Sequence, residues 1–342
     1  MLKKFLVSLL ACLCFIVTSR AQTLSPTTGL PIEGEPTAPM LVVISHTYAD
    51  VQYNGHTTTA QGVGKRQAWG GQQADIIYEC PLTQDAVTRL TYLFHDALVN
   101  GEAVEAGPIR SVRPIHVQLT QAWNGGLIYG NGLSSNMYGV PELWDICEVA
   151  FTDGEGASKP HIASVRGIRA PDHRSADVPA IHSLLPDRQF KADGLAFTDE
   201  LPGDDLPKTR EIKLNWGEKK RFFSRFVYDE TTQTYQWYSN KVPMKNWLDS
   251  SRTEESELFF DNVIVQYATI SYPGTRLLAK TDLSGSGRAQ IFMGGRLVEA
   301  EWINRSGSIH YVDPQGNDVP LKRGKTYIAI WPDDLNQVIC KE

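Results

Sequence analysis

Short apolar runs bounded by polar turns set the rhythm of this chain, with few long amphipathic stretches between them. Met40 to Ser45 (MLVVIS) is an unbroken run rich in β-branched residues and predicts a buried strand. Ala74 to Glu79 (ADIIYE) reads the same way, and Thr88 to Phe94 (TRLTYLF) adds apolar–polar alternation. Pro114 to Trp123 (PIHVQLTQAW) changes period: Pro opens it and apolar residues fall at 115, 119 and 122, which predicts a helix. Leu127–Tyr129 returns to strand, while Val140–Ile146 and Pro179–Leu185 predict two more short helices. This alternation predicts a mixed α/β unit.

The second half is strand-rich. Arg225 to Tyr238 predicts two strands around a polar turn, and Asn262 to Ala268 a buried strand. Gly287–Met293 and Arg296–Asn304 flank Gly294-Gly295, the signature of a two-residue hairpin. Ser308–Asp313 and Thr326–Trp331 bring the strands to at least six, the spacing of a sandwich or partial barrel. The fold class expected is therefore α+β: a mixed α/β N-terminal domain over residues 40–200, then a β-rich C-terminal domain over 201–342. A Pro- and carboxylate-rich stretch between 186 and 210 marks the split. Residues 22–39, with four prolines, predict an extended N-terminal arm.

Residues 1–21 belong to a different pattern. Lys3-Lys4 precede an apolar run of 14 residues, Phe5 to Thr18, and Ser19-Arg20-Ala21 places small residues at −3 and −1 of a cut after Ala21. This is the plan of a secretory signal peptide. The run falls short of the roughly 20 residues of a membrane-spanning helix. An uncleaved anchor is one alternative. Lipidation at Cys12 is another, since Leu9-Leu10-Ala11-Cys12 resembles a lipobox, although the apolar run continues past it. The expected location is extracytoplasmic, secreted or envelope-associated, with membrane association only through Cys12 or an uncleaved leader.

Removing residues 1–21 takes away Lys3, Lys4 and Arg20 and no acid. That leaves 30 basic against 39 acidic residues, a net charge of −9 with His neutral. Such a chain gains little from counterion release, so nucleic acid is not an expected partner. Cys80, Cys147 and Cys340 remain; they show no metal spacing and are expected as buried, inert thiols. Gly62-Val-Gly-Lys65 lacks the rest of a phosphate loop, and the mature chain has no G-x-S-x-G, S-x-x-K or H-E-x-x-H. His161, His173 and His182 sit 12 and 9 residues apart, which matches no metal motif. No cofactor or metal is expected.

Gly107-Pro-Ile-Arg-Ser-Val-Arg-Pro114, together with Ala74–Glu79 and Val87-Thr-Arg89, resembles the N-terminal domain of the YerB-like family of bacterial envelope proteins. The second half is similar too, through Asn262–Gln266, Gly285–Ala289, Trp302 and Leu321–Thr326, so the likeness spans residues 26–335. Three segments depart from the family: Thr83–Ala86 where a Glu-Gly-Gly is usual, Tyr129–Gly132 without the usual His, and Ala170-Pro-Asp-His173 in place of Ala-Pro-His. The resemblance implies an envelope location and two domains of unknown function, and no established activity.

One polar cluster stands out: Tyr78, Glu79, Arg89, Arg110, Ser111, Arg113 and, further on, His173. The arginines flank a Gly-Pro turn before a helix start, where backbone amides favour anions and guanidinium pairs grip carboxylate or phosphate. This predicts a ligand-binding site for an anionic small molecule or glycan. The competing account is a salt-bridge network in which Glu79 neutralises an arginine. Two functions follow. One is a binding or scaffolding protein for an envelope ligand or cell-wall component. The other is a cell-wall hydrolase or transferase using Glu79 with Arg89, Arg110 and Arg113.

Overall fold

The apolar runs of both halves of the chain end up in one sheet. In the computed structural model, residues 22–46, 51–53, 56–58, 68–83, 88–130, 150–152, 156–168, 172–216, 223–273, 279–335 and 338–342 are described. The first half contributes β1 (Met40–Ile44), β2 (Ile76–Pro81), β3 (Thr88–Phe94), β4 (Gly126–Tyr129) and β5 (Ala150–Thr152). After β6 (Arg174–Asp177), the second half supplies β7 (Glu211–Asn215), β8 (Phe223–Asp229), β9 (Thr234–Ser239), β10 (Asn262–Ala268), β11 (Ser286–Met293), β12 (Arg296–Arg305), β13 (Ser308–Val312), β14 (Thr326–Pro332) and β15 (Val338–Lys341). Ten of these form a single sheet in the order β13-β12-β11-β10-β14-β2-β3-β1-β4-β5.

The seam between the halves is the parallel pairing of β14 with β2, from Thr326 opposite Ile76 to Ala329 opposite Glu79. β10 also runs parallel to β14, and β4 parallel to β1. These central strands are covered on both faces, which is why their sequences are unbroken apolar runs. On one face Val42, Ile77, Tyr92, Val263 and Tyr327 meet Ile212, Phe226 and Trp237 of a second sheet built on β9-β8-β7-β15. On the other, Leu41, Tyr78, Leu93, Ile264 and Ile328 pack with Ile115, Leu119 and Trp123 of a helix.

That helix, α2 (Pro114–Trp123), follows α1 (Asp96–Val99) and has the bounds its sequence predicts. Pro114 takes the first helical position, where a missing N–H costs nothing. Arg113, extended at φ −136°, is the N-cap, and Asn124 closes the helix in the left-handed region at φ 47°. The Gly294-Gly295 turn has φ 58° and 72°, the two positive values that a twisted two-residue hairpin requires.

The molecule is mostly β, with 47% strand and 9% helix. Of the other predicted helices, Pro179–Leu185 corresponds to α3 (Val178–His182), and Val140–Ile146 lies outside the described residues. Cys80 is buried and Cys340 exposed, both as free thiols, so the expectation of buried thiols fails at Cys340; Cys147 lies outside the described residues. β15 is an edge strand paired with β7; Val338 packs against the core, while Ile339, Cys340 and Lys341 are exposed.

Residues 22–39 are folded onto the body. Pro26 O accepts from Leu195 N and Thr28 O from Gly324 N, while Ala38 N donates to Arg188 O. The Ser25, Thr27 and Thr28 hydroxyls turn inward to two carboxyls, the buried Asp75 and the partly buried Asp96.

Candidate functional site

The Gly107–Pro114 segment is wedged past the carboxyl ends of β1 and β4. Ser45 N donates to Pro108 O, Arg110 N to Val43 O and Gly130 N to Arg110 O; Ile109 N donates to Arg174 O at the start of β6. Gly107 exchanges backbone hydrogen bonds with Trp69, and a side chain there would collide with the Trp69 ring and Arg174 O. Gly107 to Ser111 are thus pinned by backbone pairing, which sets Arg110, Ser111 and Arg113 at one end of the sheet.

Strand alternation separates the residues that sequence proximity suggested as one cluster. Tyr78 and Cys80 point to the α2 face, so Glu79 between them points to the second sheet. Arg89 lies opposite Cys80 in the β2–β3 register and so shares the α2 face. The sheet therefore stands between Glu79 and the Arg89 side chain.

Glu79 is fully buried and its carboxylate is well supplied with donors. Thr88 Oγ1 donates to Oε1 at 2.7 Å, Ser224 Oγ to Oε2 at 2.6 Å, and the Tyr327 hydroxyl also to Oε2. His46 Nε2 lies 3.4 Å from Oε1, and its ring packs at 5.7 Å from that of Trp237. Burial, then the Glu79 charge, drives the Tyr327 hydroxyl well above its ordinary value, so it remains a donor. Glu79 comes from the first half and Ser224 and Tyr327 from the second, so this carboxylate ties the halves together.

On the α2 face, Arg89 Nη1 donates to Ser111 O at 3.1 Å, and Arg113 Nη1 to Val112 O at 2.7 Å. Arg110 turns away to Asp172, at 2.7 Å, in a pair that is three-quarters or more buried. His173 follows Asp172 and accepts from Val165 N through its carbonyl; among the described residues no contact joins its side chain to Glu79 or Arg89. The structure thus gathers Arg89, Ser111 and Arg113, with Arg110 and Asp172 beside them, and sets Glu79 and His173 apart. Tyr78, on this face, accepts from Trp123 Nε1 at 2.7 Å.

Sequence reasoning passed over His116, which completes this group. It is fully buried at the third position of α2, and its Nδ1 accepts the Arg113 N–H at 2.7 Å. Burial, then the charges of Arg89 and Arg113, hold it well below its ordinary value, so the ring is neutral. A His three residues after a basic N-cap, in a helix with no charged residue, was the available signal.

Asp75, His95 and Asp96 form a second polar centre, close enough in space to suggest metal ligands. Their atoms are engaged otherwise. Asp75 Oδ2 accepts from Thr27 and from the His95 and Asp96 amides; Asp96 accepts from Ser25, Thr28 and His95 Nδ1. The neighbouring Lys325 ammonium supplies the balancing charge. This donor set anchors residues 25–28 rather than opening to an ion.

Comparison with known proteins places this architecture. Residues 62–183 match the family model for the N-terminal domain of a protein of unknown function, DUF3048, and residues 212–328 match its C-terminal domain. No curated protein matches the chain. The fold is similar to the crystal structure of the YerB protein from Bacillus subtilis, at 18% identity and a TM-score of 0.74, over 94% of this chain and 100% of that one. With both domain models met in order and the fold shared along its length, the chain belongs to the YerB-like, DUF3048 family.

Proposed function

We infer that this is an exported envelope protein that binds an anionic small ligand, glycan or envelope partner and performs no chemistry on it. In this reading residues 1–21 direct export, residues 40–200 form a mixed α/β unit, and residues 201–342 form the β-rich one. The Gly107–Pro114 turn carries the ligand contacts, with Arg89, Ser111 and Arg113 at their centre. The observation that carries the reading is the position of Glu79. It is enclosed, it accepts three hydroxyl hydrogen bonds, and the arginines lie across the sheet from it. A general acid or base must reach the proton it transfers, and Glu79 cannot share a substrate with Arg89 and Arg113. That weighs against the hydrolase or transferase reading.

The test is a thermal-shift screen of the purified protein against wall fragments, sugars and anions, paired with mass spectrometry of each mixture. A ligand specific to the native state raises the melting temperature, and the reading expects at least one such rise with no change in ligand mass. Turnover of a wall fragment that is lost in Glu79→Gln would overturn it. Fractionation of the native host tests export, which fails if the polypeptide is found with Met1 intact in the cytosol.

A further inference from the structure

A cleft opens at the far end of α2 from Arg113, beside the segment that runs from Ala192 to Leu195. It holds about 310 Å³ of empty space, part of it open to solvent, and Tyr78, Trp123, Ile309, Tyr311 and Ile328 form much of its wall. Tyr78 is only 5% exposed. Trp123 Nε1 donates to its hydroxyl oxygen at 2.7 Å, so Tyr78 is the acceptor of that pair and has its own proton left to give. Burial raises the Tyr78 hydroxyl above its ordinary value, so the proton stays on it. Among the described residues it meets no acceptor. Tyr311 differs, because its proton goes to Gln266 Oε1 at 2.8 Å and its ring is thereby fixed as a wall. Buried donors in folded proteins are nearly always paired, so the Tyr78 O–H asks for an acceptor in the cleft.

We propose that this cleft takes the acetamido group of an N-acetylated ligand, with its carbonyl oxygen on the Tyr78 O–H, its methyl against Trp123 and Tyr311, and its N–H at Ser308 Oγ. None of the described lining residues is charged, and an unpaired charge away from water is costly, so the group that enters is uncharged. The aromatic and aliphatic walls reward a methyl, whereas a sugar hydroxyl alone gives them no apolar surface to cover. Ser308 Oγ accepts from Asp193 N at 3.3 Å and keeps a second lone pair for an amide N–H. An acetamido group is also small and flat, which suits a confined space with one side open. The site is distinct from the arginine group, which lies at the other end of a ten-residue helix.

The test titrates the full chain with N-acetylglucosamine and with N-acetylalaninamide, which carry the group on a sugar and on a peptide, and with glucose as the control. ¹H–¹⁵N spectra follow the Trp123 indole N–H, assigned by its absence in Trp123→Phe. Saturation transfer to the acetyl methyl, measured along each titration, gives the affinity in every variant. One or both acetylated probes are expected to move the Trp123 signal beyond the glucose control, and the probe that does so identifies the carrier. Ala192→Phe fills the cleft, leaves the Tyr78–Trp123 pair in place and is expected to abolish the transfer. Tyr78→Phe keeps the ring and removes the donor, for an expected loss of about threefold to tenfold. Because Tyr78→Phe also strands Trp123 Nε1, its fold is checked by circular dichroism, and Ala192→Phe decides if it fails to fold. No movement beyond glucose with either probe, or an unchanged affinity in Ala192→Phe or in a folded Tyr78→Phe, overturns the proposal. Anions that raise the melting temperature through the arginine group do so independently of these outcomes.

Discussion

Removing the Glu79 carboxylate should behave as damage to the core. In Glu79→Ala, the hydroxyls of Thr88, Ser224 and Tyr327 lose their shared acceptor in a place without solvent, and His46 loses the carboxylate beside it. A hydrogen bond to a charged group contributes about 1.5–3 kcal/mol, and a stranded buried donor costs about 1–3 kcal/mol. The Thr88 and Ser224 hydroxyls can rotate toward other acceptors, whereas the Tyr327 hydroxyl is fixed in the plane of its ring. Counting the tyrosine fully and the other two in part gives a loss of about 3–5 kcal/mol, the range for breaking a buried charged network. Glu79→Gln keeps the shape and one acceptor oxygen and should lose about 1–2 kcal/mol. Urea denaturation followed by tryptophan fluorescence measures both, provided the slope with denaturant is unchanged. The two substitutions combined with Tyr327→Phe give a coupling energy, expected at about 1 kcal/mol or more for residues in contact. A Glu79→Ala protein within about 0.5 kcal/mol of wild type, the size of a surface substitution, would refute the network.

Two further outcomes follow from the polar pairs. Burial, then the neighbouring Asp96, raises the Asp75 carboxyl to about 8, so folding takes up a proton there between its unfolded value of 3.8 and pH 8. That contribution is complete below about pH 4 and is lost as pH rises through 8, at no more than about 1.4 kcal/mol per pH unit. Asp96 has the opposite sense: burial pushes it up, but hydrogen bonds from His95, Ser25 and Thr28 outweigh burial and lower it, so its contribution is lost only in acid. Melting curves from pH 4 to 9 should therefore show Asp75→Asn gaining on wild type as pH rises, and a parallel pair of curves would contradict this. The Arg110–Asp172 pair, partly exposed, should show a coupling of about 0.5–1 kcal/mol in a double-mutant cycle, and zero coupling would mean that the pair does not persist in solution.

Local structure was legible along the chain wherever one segment supplied its own pattern. Thr88–Phe94, Pro114–Trp123 and Asn262–Ala268 have the bounds their periodicity predicts, because a strand's alternation and a helix's proline start are local properties. The Gly294-Gly295 hairpin was equally legible, since its two positive φ values require those residues. The family resemblance through Gly107–Pro114 was legible as well, and the reason for the glycine became visible only when the Trp69 ring was found against it.

Long-range placement was not legible. Nothing in residues 76–81 or 326–332 alone announces that the two strands pair in parallel and weld the halves of the chain into one sheet. β7 and β15 escaped notice because their short, mixed sequences gain strand identity from pairing, β15 with β7 and β7 also with β8. The candidate site divided for the same kind of reason. Glu79 and Arg89 are close in sequence, but a strand sends neighbouring side chains to opposite faces, and the β2–β3 register then decides which face each one shares. His116 joined the arginines because helix capping and sheet packing converge on one spot, a coincidence in space that linear spacing cannot encode. The sequence by itself determined the elements and the family; the pairing of distant strands determined which charges meet, because burial and electrostatics depend on distance through space and not along the chain.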